Sequence, residues 1–298
     1  MPLPTFFLVG APKAGTTSLY HYLREHPHVF MSQEKEPHYF SFVGEQQPPW
    51  GTPTLDAYKA LFADAGGSRA VGEASTWYLY STAASREIHA EVPDARILML
   101  LRNPVDRAFS SWAYGVQMSW EKEDFETALA KEADRTAAGG AWDVHYVQAG
   151  MYAAQVRRYL DMFPRSQIGV WTFEDFRRDP SRVCREAYEF IGVDPRAGFP
   201  DTRAVHNPTA RPRWPALNRA LRRPGRLKAV AKAVLPTGLR QTIARSLRSS
   251  NQAAKPSMDP AVRSRLREVY RQDVAELSDL LATDFESAWF GDLPPSPS

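Results

Sequence analysis

The sequence predicts an α/β fold, with a central, mostly parallel sheet of about five strands flanked by helices and a basic helical insertion near the C-terminus. Three observations predict it. Short apolar, β-prone runs recur at residues 5–9, 29–31, 70–74, 95–101 and 167–173, each bounded by turn or helix-start residues. Between and after them apolar residues recur at helical spacing, as in Leu19, Tyr20 and Leu23 or in Leu266, Val269, Tyr270, Val274, Leu277 and Leu281. The first run also stops at a glycine and opens, six residues later, into a helix.

That first strand–loop–helix unit is the most informative. The run ends at Gly10, and the helix starts at Thr16 and is broken at His26-Pro27. Such a P-loop-like turn is an anion cradle, because backbone N–H groups converge on it and the helix dipole adds roughly half a positive charge. The loop nearly fits G-x-x-x-x-G-K-[ST], with Gly10 and Gly15 correctly spaced. Thr16, however, occupies the lysine slot, and the lysine lies inside the loop at Lys13. The run 95–101 also lacks an aspartate that would hold Mg²⁺. A P-loop small-molecule kinase is therefore the enzymatic alternative, opposed by both absences. A nucleotide-sensing or membrane-docking module without catalysis is the alternative from another class.

After the second strand comes Lys35-Glu36-Pro37-His38-Tyr39-Phe40. A residue before proline is pushed toward extended conformations, so Glu36 is expected on extended chain at the carboxyl end of the sheet, beside the Lys13 loop. A solvated charged surface is the competing reading, and Tyr39 and Phe40 argue for partial burial. Residues 43–67 are loop-rich around one short helix. The third strand carries Glu73, either a rival or auxiliary base or a core-edge acid paired to an arginine. The fourth runs into Arg102, with Asn103 as helix cap and Pro104 at the first helical position. Arg102 and Ser110 bracket a region suited to a second anion, where the planar arginine fork grips phosphate well. Arg107 reads as a structural ion-pair residue. A surface helix is expected at 124–137, a longer one at 146–163 interrupted at Gly150, and another at 181–191. In that last helix Cys184 sits among Val183, Ala187, Tyr188 and Ile191 as a packing residue. Asp259 and Pro260 start the final helix, and the tail 294–298 is expected to be disordered.

Hydrophobic content of 43% with 24% charged residues fits an ordinary soluble globular chain with an ample core. No apolar run approaches the roughly 18 residues of a membrane span, and no signal peptide is read. With one cysteine and no internal disulfide, a cytoplasmic location is expected. The net charge of +3 conceals a division: residues 202–258 hold thirteen Lys/Arg and no Asp/Glu, so the remainder sums to −10. Two or three helices broken at Pro224-Gly225 and Pro236 are expected there. They form either an arm that attracts an anionic acceptor or a membrane surface, or a solvated face of packed helices. Nucleic acid is not expected, since no reading motif accompanies the charge.

Pro12-Lys13-Ala14-Gly15-Thr16-Thr17-Ser18-Leu19 resembles the 5′-phosphosulfate loop of sulfotransferases that use 3′-phosphoadenosine 5′-phosphosulfate (PAPS). Lys35 to Phe40 resembles the catalytic-base motif of the glycosaminoglycan (heparan sulfate) type and its bacterial carbohydrate counterparts. Arg-Asn-Pro-x-x-Arg-x-x-Ser, from Arg102 to Ser110, resembles the family's 3′-phosphate site. The resemblance covers residues 5–190 and the final helix. It implies one sulfotransferase domain over 1–298, PAPS as co-substrate and no metal. It also implies Lys13, Ala14, Gly15, Thr16, Thr17 and Ser18 at the 5′ end of the donor, Arg102 and Ser110 at the 3′-phosphate, and Tyr152 close to the nucleotide. Glu36 and Lys13 would be the catalytic pair, acting on a hydroxyl or amine of an acceptor that the resemblance makes a carbohydrate. Related enzymes close a Lys/Gly/Arg loop over the donor before Pro-x-Met-Asp-Pro. Here 249–254 holds no glycine, so Lys255 is the implied ligand with Arg248 as competitor.

Overall fold

Strand β1 (Phe6–Gly10) is wholly buried and lies at the centre of a five-stranded sheet in the computed structural model, which describes residues 3–42, 51–198, 211–212, 252–253 and 257–291. It is flanked by β3 (Ala70–Ala74) and β4 (Arg96–Leu101), with β2 (Val29–Met31) and β5 (Ile168–Thr172) at the edges. Every ladder of this sheet is parallel, as the short apolar runs predict. Parallel strands are covered on both faces, so β4 can be continuously apolar, with only Arg96 exposed at its start.

The strand order β2-β3-β1-β4-β5 decides where a ligand can sit. From β1 the chain passes through α1 (Thr16–Arg24) toward the β2 edge, whereas from β4 it leaves through α4 (Pro104–Met118) toward the β5 edge. The carboxyl ends of β1 and β4 therefore form the switch point, where the departing loops part and leave a crevice. Asn103 caps α4, its Oδ1 accepting from the N–H of Val105 at 3.0 Å.

The remaining helices are α2 (Leu55–Ala60), α3 (Ala84–Glu91), α5 (Phe125–Ala130), α6 (Glu132–Ala137), α7 (Tyr152–Leu160), α8 (Phe173–Arg178), α9 (Pro180–Ile191), α10 (Pro260–Leu281) and α11 (Phe285–Phe290). The single helix expected at 124–137 is two. Lys131 ends α5, and the buried Glu132 carboxylate accepts from the N–H groups of Val147 and Gln148, a tertiary demand that periodicity does not register. The long helix expected at 146–163 is a 3₁₀ turn, Gln148–Gly150, followed by α7. Asp273 of α10 fixes that start by accepting from Tyr152 N–H at 2.6 Å and Ala153 N–H at 3.1 Å. Helix α11, not foreseen, starts at Asp284, which accepts from Ser287 N–H. Cys184 is buried in α9, and burial pushes its thiol up to about 12, as suits a packing residue.

The chain divides into two compact units. The first comprises Met1–Arg107, Ala149–Asn207 and Leu266–Ser298 and contains the sheet. The second comprises Ala108–Gln148 and Pro208–Arg265. In it, the buried Glu121 carboxylate gathers Arg135, Tyr146 and the N–H groups of Lys122 and Glu123. Burial alone would raise that carboxyl, but these bonds hold it at about 2. The same unit contains a short antiparallel pair, Arg211–Pro212 with Gln252–Ala253. The helices expected across the rest of 202–258, with Arg248 and Lys255, and the tail 294–298 lie outside the described residues.

Candidate functional site

The loop after β1 is shaped by close approach. A Cβ on Gly10 would lie 2.7 Å from Leu79 Cβ, and one on Gly15 would lie 2.9 Å from Phe173 Cδ2. Gly15 also has φ +88°, a region that disfavours side chains. Ala11 N–H donates to Leu100 of β4 at 2.8 Å, and Ala14 N–H turns back to Ala11 at 3.2 Å. Lys13 is half-buried at the turn, itself at φ +69°. Helix α1 follows with no side-chain cap and no acidic residue in its first turn. Its opening N–H groups and partial positive charge therefore face the crevice, with Thr16 and Ser18 buried beneath and Thr17 half-buried.

Arg102 leaves β4 next to this loop. Its Nη1 donates to the Lys13 carbonyl at 2.9 Å, and its guanidinium lies 4.6 Å over the Phe173 ring. Its Nε is buried and has no hydrogen-bond partner among the described residues. A buried, unsatisfied arginine N–H is costly, and an anion at this point would satisfy it. The lysine turn and the arginine are thus joined through a direct bond. Tyr152 is fully buried, and its hydroxyl donates to the Arg102 carbonyl at 3.1 Å, so it buttresses the arginine from behind. Ser110 lies on α4, in the second unit, and is half-buried.

The expectation of extended chain at Glu36 is overturned: its φ is +65°, left-handed. Glu36 N–H donates to Ala74 at the end of β3 (2.9 Å), and His38 N–H donates to Ser75 Oγ (3.1 Å). Pinned at both points, the chain holds a conformation that proline alone would not select. The sheet-end placement stands. The Glu36 side chain is 33% exposed, with Lys35 on Oε1 and His38 Nε2 3.1 Å from Oε2. Burial raises this carboxyl, but the His38 hydrogen bond and the Lys35 charge outweigh it and hold it at about 2.

Glu73 is fully buried, and its partners are hydroxyls, not the arginine that one sequence reading offered. Tyr58 donates to one oxygen at 2.9 Å and Ser75 to the other at 2.8 Å. Burial pushes its carboxyl up to about 7 despite hydrogen bonds from Tyr78, Ser75 and Tyr58. With no exposed surface, Glu73 cannot touch a ligand that enters from solvent, whereas Glu36 can.

Sequence reading missed Phe173, Glu174 and Trp289, all of which bear on Arg102 or its neighbours. Phe173 reads as the end of a strand, and Trp289 stands in a helix of 6 residues, too short for its Phe285–Trp289 pair to mark a period. Among the described residues no group of three or more His, Cys, Asp or Glu could hold a metal ion, and no helix is long and apolar enough to cross a membrane.

Residues 3–206 match the family model described as the Sulfotransferase domain. Human heparan sulfate glucosamine 3-O-sulfotransferase 6 is 30% identical over 190 residues, covering 64% of this chain and 52% of its own length. Carbohydrate sulfotransferase 15 of Rattus norvegicus is 25% identical over 286 residues, covering 74% of this chain and 51% of its own. The chain thus spans about half the length of these curated relatives. The crystal structure of a sulfotransferase from Alicyclobacillus acidocaldarius matches with a TM-score of 0.77 at 33% identity, covering 97% of this chain and 99% of that one.

Proposed function

The chain belongs to the sulfotransferase family, and from that premise we propose that it transfers a sulfuryl group from PAPS to a hydroxyl or amine of a carbohydrate acceptor. One observation carries the donor assignment: the guanidinium of Arg102 is bonded to the Lys13 turn and keeps a buried N–H unpaired. A turn that receives one anion and an arginine that receives another, joined at 2.9 Å, fit a compact ligand with two anionic groups. The carbohydrate assignment is supported by the names of the relatives and by the charge of residues 202–258, which suits a polyanionic acceptor.

PAPS, when bound, supplies an activated sulfuryl group on a phosphate leaving group. Lys13 and the first-turn N–H groups of α1 neutralise charge that grows on the leaving oxygen as the S–O bond breaks. Glu36 accepts the proton of the acceptor O–H or N–H as the new bond to sulfur forms. In the resting arrangement it is ionised, hence competent to accept, but weakly basic. Entry of an acceptor that displaces Lys35 or His38 leaves burial dominant and strengthens it as a base. Arg102 fixes the donor's 3′-phosphate, and Tyr152 holds Arg102. Positioning and charge stabilisation supply most of the catalysis.

The test is incubation of the full chain with radiolabelled PAPS and separate pools of desulfated glycosaminoglycan, lipid, peptide and phenol. Label in the glycosaminoglycan pool is the expected result. Label only in another pool overturns the acceptor class, and none anywhere, with PAPS intact, overturns the reaction.

A further inference from the structure

Trp289, on α11, touches three groups that surround Arg102. Its carbonyl accepts from Asn103 Nδ2 at 2.8 Å, its ring packs 6.1 Å from Tyr152, and its indole Nε1 donates to Glu174 Oε2 at 3.1 Å. Trp289 is 6% exposed, so these contacts are shielded from water. Glu174 directly follows Phe173, on whose ring Arg102 lies, and its other oxygen accepts from Asn103 N–H at 3.3 Å. A half-buried carboxylate thus stands beside Arg102, whose buried Nε has no hydrogen-bond partner among the described residues. Left to itself, a carboxylate pairs with a guanidinium, because that charge-assisted bond is stronger than one to a neutral N–H. The two neutral donors, Trp289 Nε1 and Asn103 N–H, occupy both Glu174 oxygens, so Glu174 and Arg102 feel each other's charge with no direct bond between them among the described residues.

We propose that Trp289 is a positioning residue for the donor site: its indole N–H keeps the Glu174 carboxylate turned from Arg102, leaving the guanidinium for the nucleotide's 3′-phosphate. The proposal rests on the reading of Arg102 given under Proposed function. Removal of the indole N–H releases Glu174 Oε2, which then competes with phosphate for Arg102. The effect falls chiefly on the 3′-phosphate: Glu174 competes for the guanidinium itself, and the Lys13 turn is touched only through the Arg102 Nη1 bond to its carbonyl.

The experiment is calorimetric titration of the full chain with adenosine 3′,5′-bisphosphate and, separately, adenosine 5′-phosphosulfate. Trp289→Phe, which keeps an aromatic ring against Tyr152, weakens bisphosphate binding about tenfold, the size of one charge-assisted bond redirected, and leaves the 5′-phosphosulfate within about twofold. Adding Glu174→Gln to Trp289→Phe removes the competitor and restores bisphosphate affinity. Trp289→Phe binding like wild type overturns the proposal. Equal weakening of both nucleotides, or a loss that Glu174→Gln does not rescue, reduces Trp289 to packing and overturns it too. If wild type itself ignores the 3′-phosphate, the donor reading falls, and the proposal with it, by a signature distinct from those.

Discussion

Glu73 lies on β3 and Glu36 is bonded to the end of that strand, and their surroundings push them in opposite directions. Without acceptor, Glu36 is held at about 2, so no acid limb near neutrality in kcat/KM belongs to it. Glu36→Gln removes the proposed proton acceptor and keeps the shape. We expect kcat to fall about 10²- to 10⁴-fold, with the dissociation constant for adenosine 3′,5′-bisphosphate unchanged. Steady-state kinetics and calorimetry on one preparation check both halves. Glu73 carries the reverse sign: its carboxyl rises from 4.5 unfolded to about 7 folded. Its contribution to stability is intact below the unfolded value and is lost as pH rises through the folded one. The melting temperature of wild type should therefore decline between pH about 4.5 and about 7 relative to Glu73→Gln, in which that dependence is absent. Parallel melting curves for the two proteins across this window would refute the burial account. Both carboxylates were legible in the sequence as candidates, because they close or follow short apolar runs. Their division of labour was not, since it depends on burial and on how the fold turns Tyr58, Ser75 and Tyr78 onto Glu73.

Among the elements, the β1 loop and the start of α1 bear most of the donor assignment. Gly15 is the point at which sequence and structure agree most closely: its spacing from Gly10 marked a phosphate turn, and its φ of +88° against the Phe173 ring shows why no side chain is admitted. Gly15→Ala combines a left-handed residue with a clash. It should cost on the order of 1–3 kcal/mol in urea unfolding and weaken the bisphosphate as the turn shifts. Unchanged stability and affinity together would mean that the cradle is looser than its contacts indicate. Helix boundaries were less legible. Lys131 divides α5 from α6, and α7 starts at Tyr152, because Glu132 and Asp273 satisfy backbone N–H groups on other elements. No local period contains that information.

For the whole molecule, the strand order matters more than any motif. With β1 and β4 adjacent, loops that are about ninety residues apart in sequence meet at the switch point, and Arg102 binds the Lys13 carbonyl. Electrostatics acts on the same scale. Thirteen Lys/Arg within 202–258 imply that capture of a polyanionic acceptor is screened by salt. Raising ionic strength from about 0.05 M to about 0.3 M, which shortens the screening length, should raise KM for a glycosaminoglycan several-fold and leave kcat nearly constant. A KM indifferent to salt would detach the basic segment from acceptor capture.

By itself the sequence determined the parallel α/β class, the anion-binding turn at Lys13 and the chemical types gathered at the strand ends, because apolar run length, glycine spacing and helix-start residues act over a few neighbours. Only the tertiary structure decided that Glu36 is left-handed and ionised, that Glu73 is enclosed by hydroxyls, and that the Trp289 indole donates to Glu174. Ala74 and Ser75 pin the Glu36 backbone from another strand end, Tyr58 reaches Glu73 across the fold, and Trp289 meets Glu174 from far along the chain. Even the near neighbours Lys35, His38 and Ser75 act only as the fold aims them, and a buried charge takes its properties from whatever folding sets beside it.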